Sequence, residues 1–254
     1  MSPLVSIITV AYNSCSTIDR TIQSVKTQTY QYIEYIVIDG KSTDRTMDVV
    51  LQYPFISTAI SEDDDGIYDA MNKGLAFANG KIIAFLNADD YYLNNHVVQK
   101  VVDIFLGADI DAVFGDVGYF SSKNNKKLFR RYSSKIFTSK LLKKGFMPAH
   151  PSLFLRKEIF DRYGKFDATY EIAGDFDFIA RIFKSNTLKY RYLEEIFVMM
   201  QSGGVSTQGL KSTITLNKEI MLSCKKNGIK TSWITLLSRY PYKLMEFFKP
   251  KASQ

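Results

Sequence analysis

The sequence predicts an α/β protein built on one mainly parallel sheet with helices on both faces. Two observations carry this. Short apolar runs at 5–10 (VSIITV), 35–39 (YIVID) and 82–86 (IIAFL) lack polar alternation, as strands buried on both faces do. The segments between them carry apolar residues at helical spacing, and strands alternating with helices give a parallel sheet. At 254 residues, 46% hydrophobic and 23% charged, the chain is long enough for a large α/β domain and too apolar to be disordered.

Each element follows in order. After the strand at 5–10, Ser16 or Thr17 caps a helix whose Ile18, Ile22 and Val25 share one face. After the strand at 35–39, Ser42 or Thr43 caps a helix carrying Met47, Val50 and Leu51. A weaker strand pattern runs through 57–61, and a helix at about 67–79 aligns Ile67, Met71, Leu75 and Ala78. The strand at 82–86 runs into Asn87-Ala88-Asp89-Asp90, and a helix at about 96–106, with His96 at its start, carries Val97, Val98, Val101, Val102 and Phe105. Beyond about 112 the pattern loosens into a mixed extension. It holds strands at 111–120 and 126–132, a strand at 150–156, a short helix at 157–164 and a helix at 174–183. Two strand-like runs, LKYRYL and IFVMM, precede Gly203-Gly204, and helices at about 211–227 and 232–248 close the chain. With no repeats or Pro-rich linkers, residues 1–254 are expected to form one domain with two halves, about 1–115 and 116–210, and C-terminal helices at 211–254.

Ligands of open α/β sheets bind outside the carboxyl ends of the strands. The polar residues there are Tyr12 and Asn13, then Asp39, then Glu62 to Asp65, then Asn87, Asp89 and Asp90. Their convergence on one rim is the main functional signal. A Rossmann dinucleotide site needs a glycine-rich turn after the first strand, but the first glycine is Gly40. Gly40-Lys41-Ser42 imitates the end of a P-loop, yet Tyr35 stands where the first glycine belongs. Phosphate charge must be met otherwise, and a carboxylate at 87–90 suits Mg²⁺ or Mn²⁺ with diphosphate oxygens completing the shell.

Composition excludes other classes. Cys15 and Cys224 cannot form a disulfide scaffold or a Cys-x-x-Cys site, and His96 and His150 are too few for most His-rich metal sites. The N-terminus lacks a basic region before its apolar run, and no apolar run approaches the roughly 20 residues of a membrane span, so a cytoplasmic location is expected. Residues 1–120 carry net −9 and residues 121–254 net +16. The basic half attracts phosphate, nucleic acid or an anionic membrane, although no nucleic-acid reading motif is present.

The segments VSIITVAYN, IDGKSTDRT, SEDDDGIYDAMNKG, IIAFLNADD, HPSLFLRKEIFDRYGKFD and AGDFDFIARI, in this order over residues 4–185, resemble family 2 glycosyltransferases. The resemblance implies a GT-A fold, a nucleotide-sugar donor (usually with UDP), a divalent metal and inversion at the anomeric carbon. It places Asp39 and Asp64 around base and ribose, Tyr12 and Asn13 in that pocket, Asn87 and Asp89 at the Asp-X-Asp position with Asp89 as metal ligand, and Asp175 as the base. Asn87, Gly174 and Met71 depart from the pattern, replacing an acid, an acid and a basic residue; Asn72 and Lys73 are the substitutes expected to reach the diphosphate. The acceptor is expected to be a glycan or a polyprenyl-diphosphate-linked glycan. Neither the transmembrane helices nor the Gln-x-x-Arg-Trp motif of processive relatives occurs, so one sugar per encounter is expected. A sugar-phosphate nucleotidyltransferase and a catalytically silent domain of the same fold are the competing readings.

On physical grounds Asp175 suits a base, since burial against Phe176 and Phe178 raises its pKa; its alternative role is a helix N-terminal acid. Asp177, two residues along the helix, should point away. His150 is either a contact to diphosphate, metal or acceptor, or a structural histidine. The final segment mixes Trp233, Ile234, Leu236, Leu237, Tyr240, Leu244, Phe247 and Phe248 with Arg239, Lys243, Lys249 and Lys251. That composition suits peripheral docking on the anionic cytoplasmic face of the inner membrane, aided by Lys123, Lys126, Lys127, Lys135, Lys140, Lys143, Lys144, Arg130 and Arg131. The alternatives are core packing or a homodimer seam.

Overall fold

Apolar residues on both faces of the central strands bury the sheet between two helical layers. The computed structural model describes residues 2–120, 128–201 and 209–241. The first half runs β1 (Val5–Ala11), α1 (Ile18–Lys26), β2 (Ile33–Asp39), α2 (Thr46–Val50), β3 (Thr58–Ser61), α3 (Ile67–Phe77), β4 (Ile82–Phe85), β5 (Tyr91–Tyr92) and α4 (Val97–Gly107). The second runs β6 (Ala112–Phe120), β7 (Leu128–Tyr132), β8 (Leu153–Arg156), α5 (Lys157–Tyr163), α6 (Gly174–Phe183), β9 (Tyr190–Gln201), α7 (Leu210–Lys226) and α8 (Trp233–Leu237). Period-two alternation sends Ile8, Val10, Ile36, Ile38, Ile83 and Phe85 into one core, shared with α3, α5 and α6. Ile7, Tyr35, Val37, Ile82 and Ala84 enter the other, shared with α1 and α4.

The sheet order is β3-β2-β1-β4-β8-β6-β9-β5, with β7 also paired to β6. β3, β2, β1 and β4 are mutually parallel, so the ends at 11–13, 39–41, 61–65 and 86–90 share one rim, as the sequence predicts. β8 runs antiparallel between β4 and β6, and β9 is parallel to β6, which makes the predicted mixed extension part of the same sheet. Chain order moves outward from β1 to β2 and β3, then returns to β4 on the other side of β1. The crevice between β1 and β4 is thus the switch point where such sheets bind ligands.

Helix α1 holds one wall of that crevice. The Thr21 hydroxyl lies 3.0 Å from the Ala88 carbonyl and 2.6 Å from that of Asp90, and Arg20 Nη2 donates to the Asp89 carbonyl at 2.7 Å. Ser24 accepts from Tyr92 N, and just past the helix Gln28 bonds Asn94 O and Val98 N. Positions 20, 21, 24 and 28 share a face at helical spacing, so one polar stripe fixes the segment from 88 to 98.

Several expectations change. LKYRYL and IFVMM form the single strand β9, because Glu194 and Glu195 between them occupy a register shift against β6 rather than a turn. β5, two residues long, carries no readable pattern. The predicted helix at 232–248 is described as α8, and the tail from 242, Gly203-Gly204, and Lys123, Lys126 and Lys127 lie outside the described residues. Leu236 and Arg239, expected at an interface with lipid, are buried: Leu236 joins the core and Arg239 bonds Gly145 O and Asn217 Oδ1. No described helix is long and apolar enough to cross a membrane.

The stripe on α1 gives a stability prediction. Thr21→Val keeps shape but strips the donor from two buried carbonyls, and should lower the unfolding free energy by about 1–3 kcal/mol in urea. A loss below about 0.5 kcal/mol would show that the turn at 88–90 stands without this bond.

Candidate active site

Asp39 and Asn13, both expected to touch the donor, spend their acceptors on the rim itself. The Asp39 carboxylate is fully buried at the end of β2; it accepts from Ser42 N at 2.9 Å, Ser61 Oγ at 2.6 Å and the Ser42 hydroxyl. Asn13, at φ 48, accepts at Oδ1 from Thr43 N at 2.9 Å, and its own N–H donates to Ser42 Oγ at 2.8 Å. Together they lock the loops after β1, β2 and β3 to one another. What faces outward is Tyr12, 65% exposed, and the half-buried Asp64. Gly40 lies between them: a Cβ there would sit 2.4 Å from Asp64 Oδ2 and 3.5 Å from the Tyr12 ring. The glycine lets an aromatic face and a carboxylate approach across one backbone.

Past β4, burial alternates although the strand has ended: Asn87 and Asp89 are half-buried, whereas Ala88 and Asp90 are buried. Asp89 takes no side-chain hydrogen bond from another described residue, and burial lifts its carboxyl above the usual range against the opposing pull of Arg20. Asp90, counted on the rim from sequence, turns inward instead. Its Oδ2 is buried without a partner, and burial with the neighbouring Asp89 pushes its carboxyl well above the usual range. Arg20 lies over the rings of Tyr91 and Phe120, 4.8 and 4.6 Å from their centroids, and donates to Gln201 Oε1.

These residues fit a divalent cation of one particular kind. Among the described residues no three His, Cys, Asp or Glu side chains converge on a metal position. Asp89 nevertheless offers an unclaimed, partly desolvated carboxylate at the switch point. Mg²⁺ characteristically binds through one or two carboxylates together with substrate phosphates and water.

Asp175 is the second residue of α6 and keeps partial access to solvent. Its Oδ1 accepts from Phe176 N at 2.7 Å and lies 3.4 Å from the Tyr68 hydroxyl. Burial pushes its carboxyl up to about 6, against the lowering effect of these bonds. Tyr68 explains the departure at Gly174: a Cβ there would lie 2.7 Å from the Tyr68 ring. The acid expected at 174 is thus replaced by space for a tyrosine, whose hydroxyl donates to Ile172 O at 2.5 Å. Asp177 points elsewhere, to Arg181 at 3.0 Å and Tyr170 at 3.2 Å.

Two substitutes read from sequence are otherwise engaged. Asn72 gives its amide N–H to Phe166 O at 2.9 Å and accepts from Phe166 N at 3.0 Å, so its amide is spent on a loop rather than offered to a diphosphate. Lys73 pairs with Glu62 and Asp69. His150 is buried, with its ring 5.7 Å from Phe85 and edge-on to Phe166. Burial pushes it down to about 4, so it is neutral at pH 7 and brings no charge to a phosphate. Sequence reasoning missed Arg20, Tyr68 and Glu219. Only Tyr68 left a trace, as the aromatic residue that the unexpected Gly174 accommodates.

The family model described as Glycosyl transferase family 2 matches residues 6–164. A PGL/p-HBAD biosynthesis glycosyltransferase of Mycobacterium tuberculosis is 29% identical over 249 residues, 94% of this chain and 92% of its own. An uncharacterized glycosyltransferase of the same species is 34% identical over 188 residues, 71% of this chain and 69% of its own. Among solved structures, S. aureus TarS 1–349 superposes with TM-score 0.70 at 17% identity, covering 98% of this chain and 75% of that one. The same protein in complex with UDP-GlcNAc gives TM-score 0.69 at 17% identity over 87% of this chain and 66% of that one. A longer TarS chain is spanned only to 39%. The mannosyltransferase PcManGT of Pyrobaculum calidifontis, in complex with GDP-Man and Mn²⁺, gives TM-score 0.65 at 18% identity over 91% of this chain and 66% of that one. These likenesses establish the GT-A fold. With more than half its length under the family model and a 34% identical relative over most of it, the chain belongs to glycosyl transferase family 2.

Proposed function

We propose that this glycosyltransferase moves one sugar from a nucleotide-sugar, a UDP-sugar first among them, to a hydroxyl of a glycan or lipid-linked glycan during glycan assembly, with inversion at the anomeric carbon. The observation that carries the reading is Asp89. At the β1/β4 crevice it is unclaimed and partly desolvated, whereas Asp39, Glu62, Asp63 and Asp64 are hydrogen-bonded or paired, Asp65 is exposed to solvent and Asp90 is buried. The complexes of TarS with UDP-GlcNAc and of PcManGT with GDP-Man and Mn²⁺ support a nucleotide-sugar donor. The first half then binds the donor, through Tyr12 against the base and Asp64 toward base or ribose, with Asp39 and Asn13 holding the loops in place. The second half takes the acceptor.

Asp175 acts as the base. As the acceptor oxygen attacks the anomeric carbon, its proton passes to the carboxylate, the bond from that carbon to phosphate breaks, and the nucleoside diphosphate leaves with the electron pair. A carboxyl near 6 is mostly ionised at pH 7 yet more basic than an exposed aspartate. Asp89, with Asn87 beside it, would hold Mn²⁺ or Mg²⁺, which when bound neutralises charge on the diphosphate as a Lewis acid. Arg20 keeps the backbone beneath Asp89 in place.

Docking on an anionic bilayer fits α8. Trp233, Ile234 and Leu237 are 49%, 85% and 48% exposed. Thr231 ties this region to Lys143 in the 3-10 turn Ser139–Lys144. Residues 133–147 and 222–241 hold seven lysines and no Asp or Glu, the charge that acidic headgroups attract.

Four measurements check these readings. Screened over UDP-, GDP- and dTDP-sugars, the protein should bind one donor more tightly with Mn²⁺, and Asp89→Ala should abolish that metal response; equal binding with and without metal would remove Asp89 from the ligand role. Turnover should fall about tenfold per pH unit below about 6. Asp175→Asn should lower it by about 10²-fold or more while donor binding persists. Ile234→Ser should weaken co-sedimentation with phosphatidylglycerol vesicles, whereas binding indifferent to lipid charge and salt would rule out electrostatic docking.

A further inference from the structure

Glu219 stands in the middle of α7, beyond the residues that the family model matches and outside every motif above. Its carboxylate collects three main-chain donors from a single stretch. Oε1 accepts from Glu171 N at 2.7 Å, and Oε2 accepts from Ile172 N at 2.9 Å and Ala173 N at 2.7 Å. These amides form the approach to α6, and Asp175 follows two residues later. The residue at the N-cap of α6 is Ala173, which has no side-chain oxygen with which to close the helix start. A carboxylate from a distant helix instead takes the N–H of that N-cap residue and of the two residues before it, through charge-assisted bonds stronger than neutral ones, while Asp175 Oδ1 accepts the first-turn N–H of Phe176. On the opposite side, Tyr68 of α3 donates to the Ile172 carbonyl. The peptide groups at residue 172 are thus gripped at the N–H by α7 and at the C=O by α3.

The charge matters as well as the bonds. The N-terminal end of a helix carries positive potential that stabilises nearby carboxylates. An anion on the amides at that end offsets the pull, and its own negative charge acts on Asp175 in the same sense. The titratable groups that act on Asp175 are Tyr68 from α3 and Glu219 from α7. Asp177, in the same helix, is turned to Arg181.

We propose that Glu219 is a positioning residue for Asp175: from α7 it pins backbone 171–173 against the grip of Tyr68, fixes where the Asp175 carboxylate stands, and keeps the start of α6 from drawing off its basicity. The inference rests on Asp175 being the base. It adds that α7, beyond the stretch that carries the rim and the base, belongs to the working parts of the enzyme.

The test is an NMR titration of the full chain carrying ¹³C-labelled aspartate, with the Asp175 carboxyl assigned through Asp175→Asn. In Glu219→Gln the Asp175 midpoint should fall by about one unit, since a like charge is lost and the helix end acts unopposed. Glu219→Asp, which retains the charge, should move it less, and turnover in Glu219→Gln should drop with the donor KM unchanged. A midpoint in Glu219→Gln equal to that of the unmodified protein would overturn the proposal. Should Glu219→Gln fail to fold, hydrogen exchange of the unmodified chain decides: amides 171–173 should be protected about as well as the first turn of α6, and exchange at the rate of open loops overturns the clamp. If Asp175→Asn keeps full turnover while the midpoint still moves in Glu219→Gln, the clamp stands and the assignment of the base falls.

Discussion

Beyond β4 two more N–H groups continue the ladder with β1, Leu86 to Ile8 O at 2.9 Å and Ala88 to Val10 O at 3.3 Å, before the chain turns. A turn at that depth leaves carbonyls with no strand to receive them, and a buried polar group without a partner costs a sizeable fraction of a protein's stability. Thr21 and Arg20 meet all three carbonyls of residues 88–90 from α1. Because the hydrophobic face of α1 is fixed by Ile18, Ile22 and Val25 in the core, its polar stripe is fixed too. The placement of Asp89 therefore derives from the packing of a helix some seventy positions earlier in the chain.

A second constraint operates where the family pattern is broken. Gly174 looks from the sequence like the loss of an acid beside the base. In the fold it is an exchange: the missing side chain admits Tyr68, and Tyr68 brings a hydroxyl to the backbone that leads into α6. Asn87 has no comparable explanation in the contacts of the described residues.

How much could be read in advance follows from how local each determinant is. β1, β2 and β4 were legible because strands buried on both sides need unbroken apolar runs, and the shared rim followed from their parallel order. Asp39 and Asn13 are legible as rim residues, but the loop contacts they make are not, because Ser42, Ser61 and Thr43 reach their acceptors through bonds that only the folded loops create. Asn72 was misdirected for the same reason, its amide being taken by Phe166 from 94 positions away. β9 appeared divided because two glutamates in a register shift look like a break. Glu219 was invisible, since a glutamate within an amphipathic helix carries no sequence pattern that sets it apart from its solvated neighbours.

The order of strands in the sheet has a consequence for how such a chain can change. β8, from the second half, is inserted between β4 and β6, and β5, from the first half, forms the far edge against β9. The two halves are interlaced rather than abutted. Neither could be exchanged as a block for the corresponding piece of a relative without leaving bare sheet edges in its partner. New specificity in such an architecture must arise by altering loops at the rim and side chains at helix ends, with the woven sheet carried along intact.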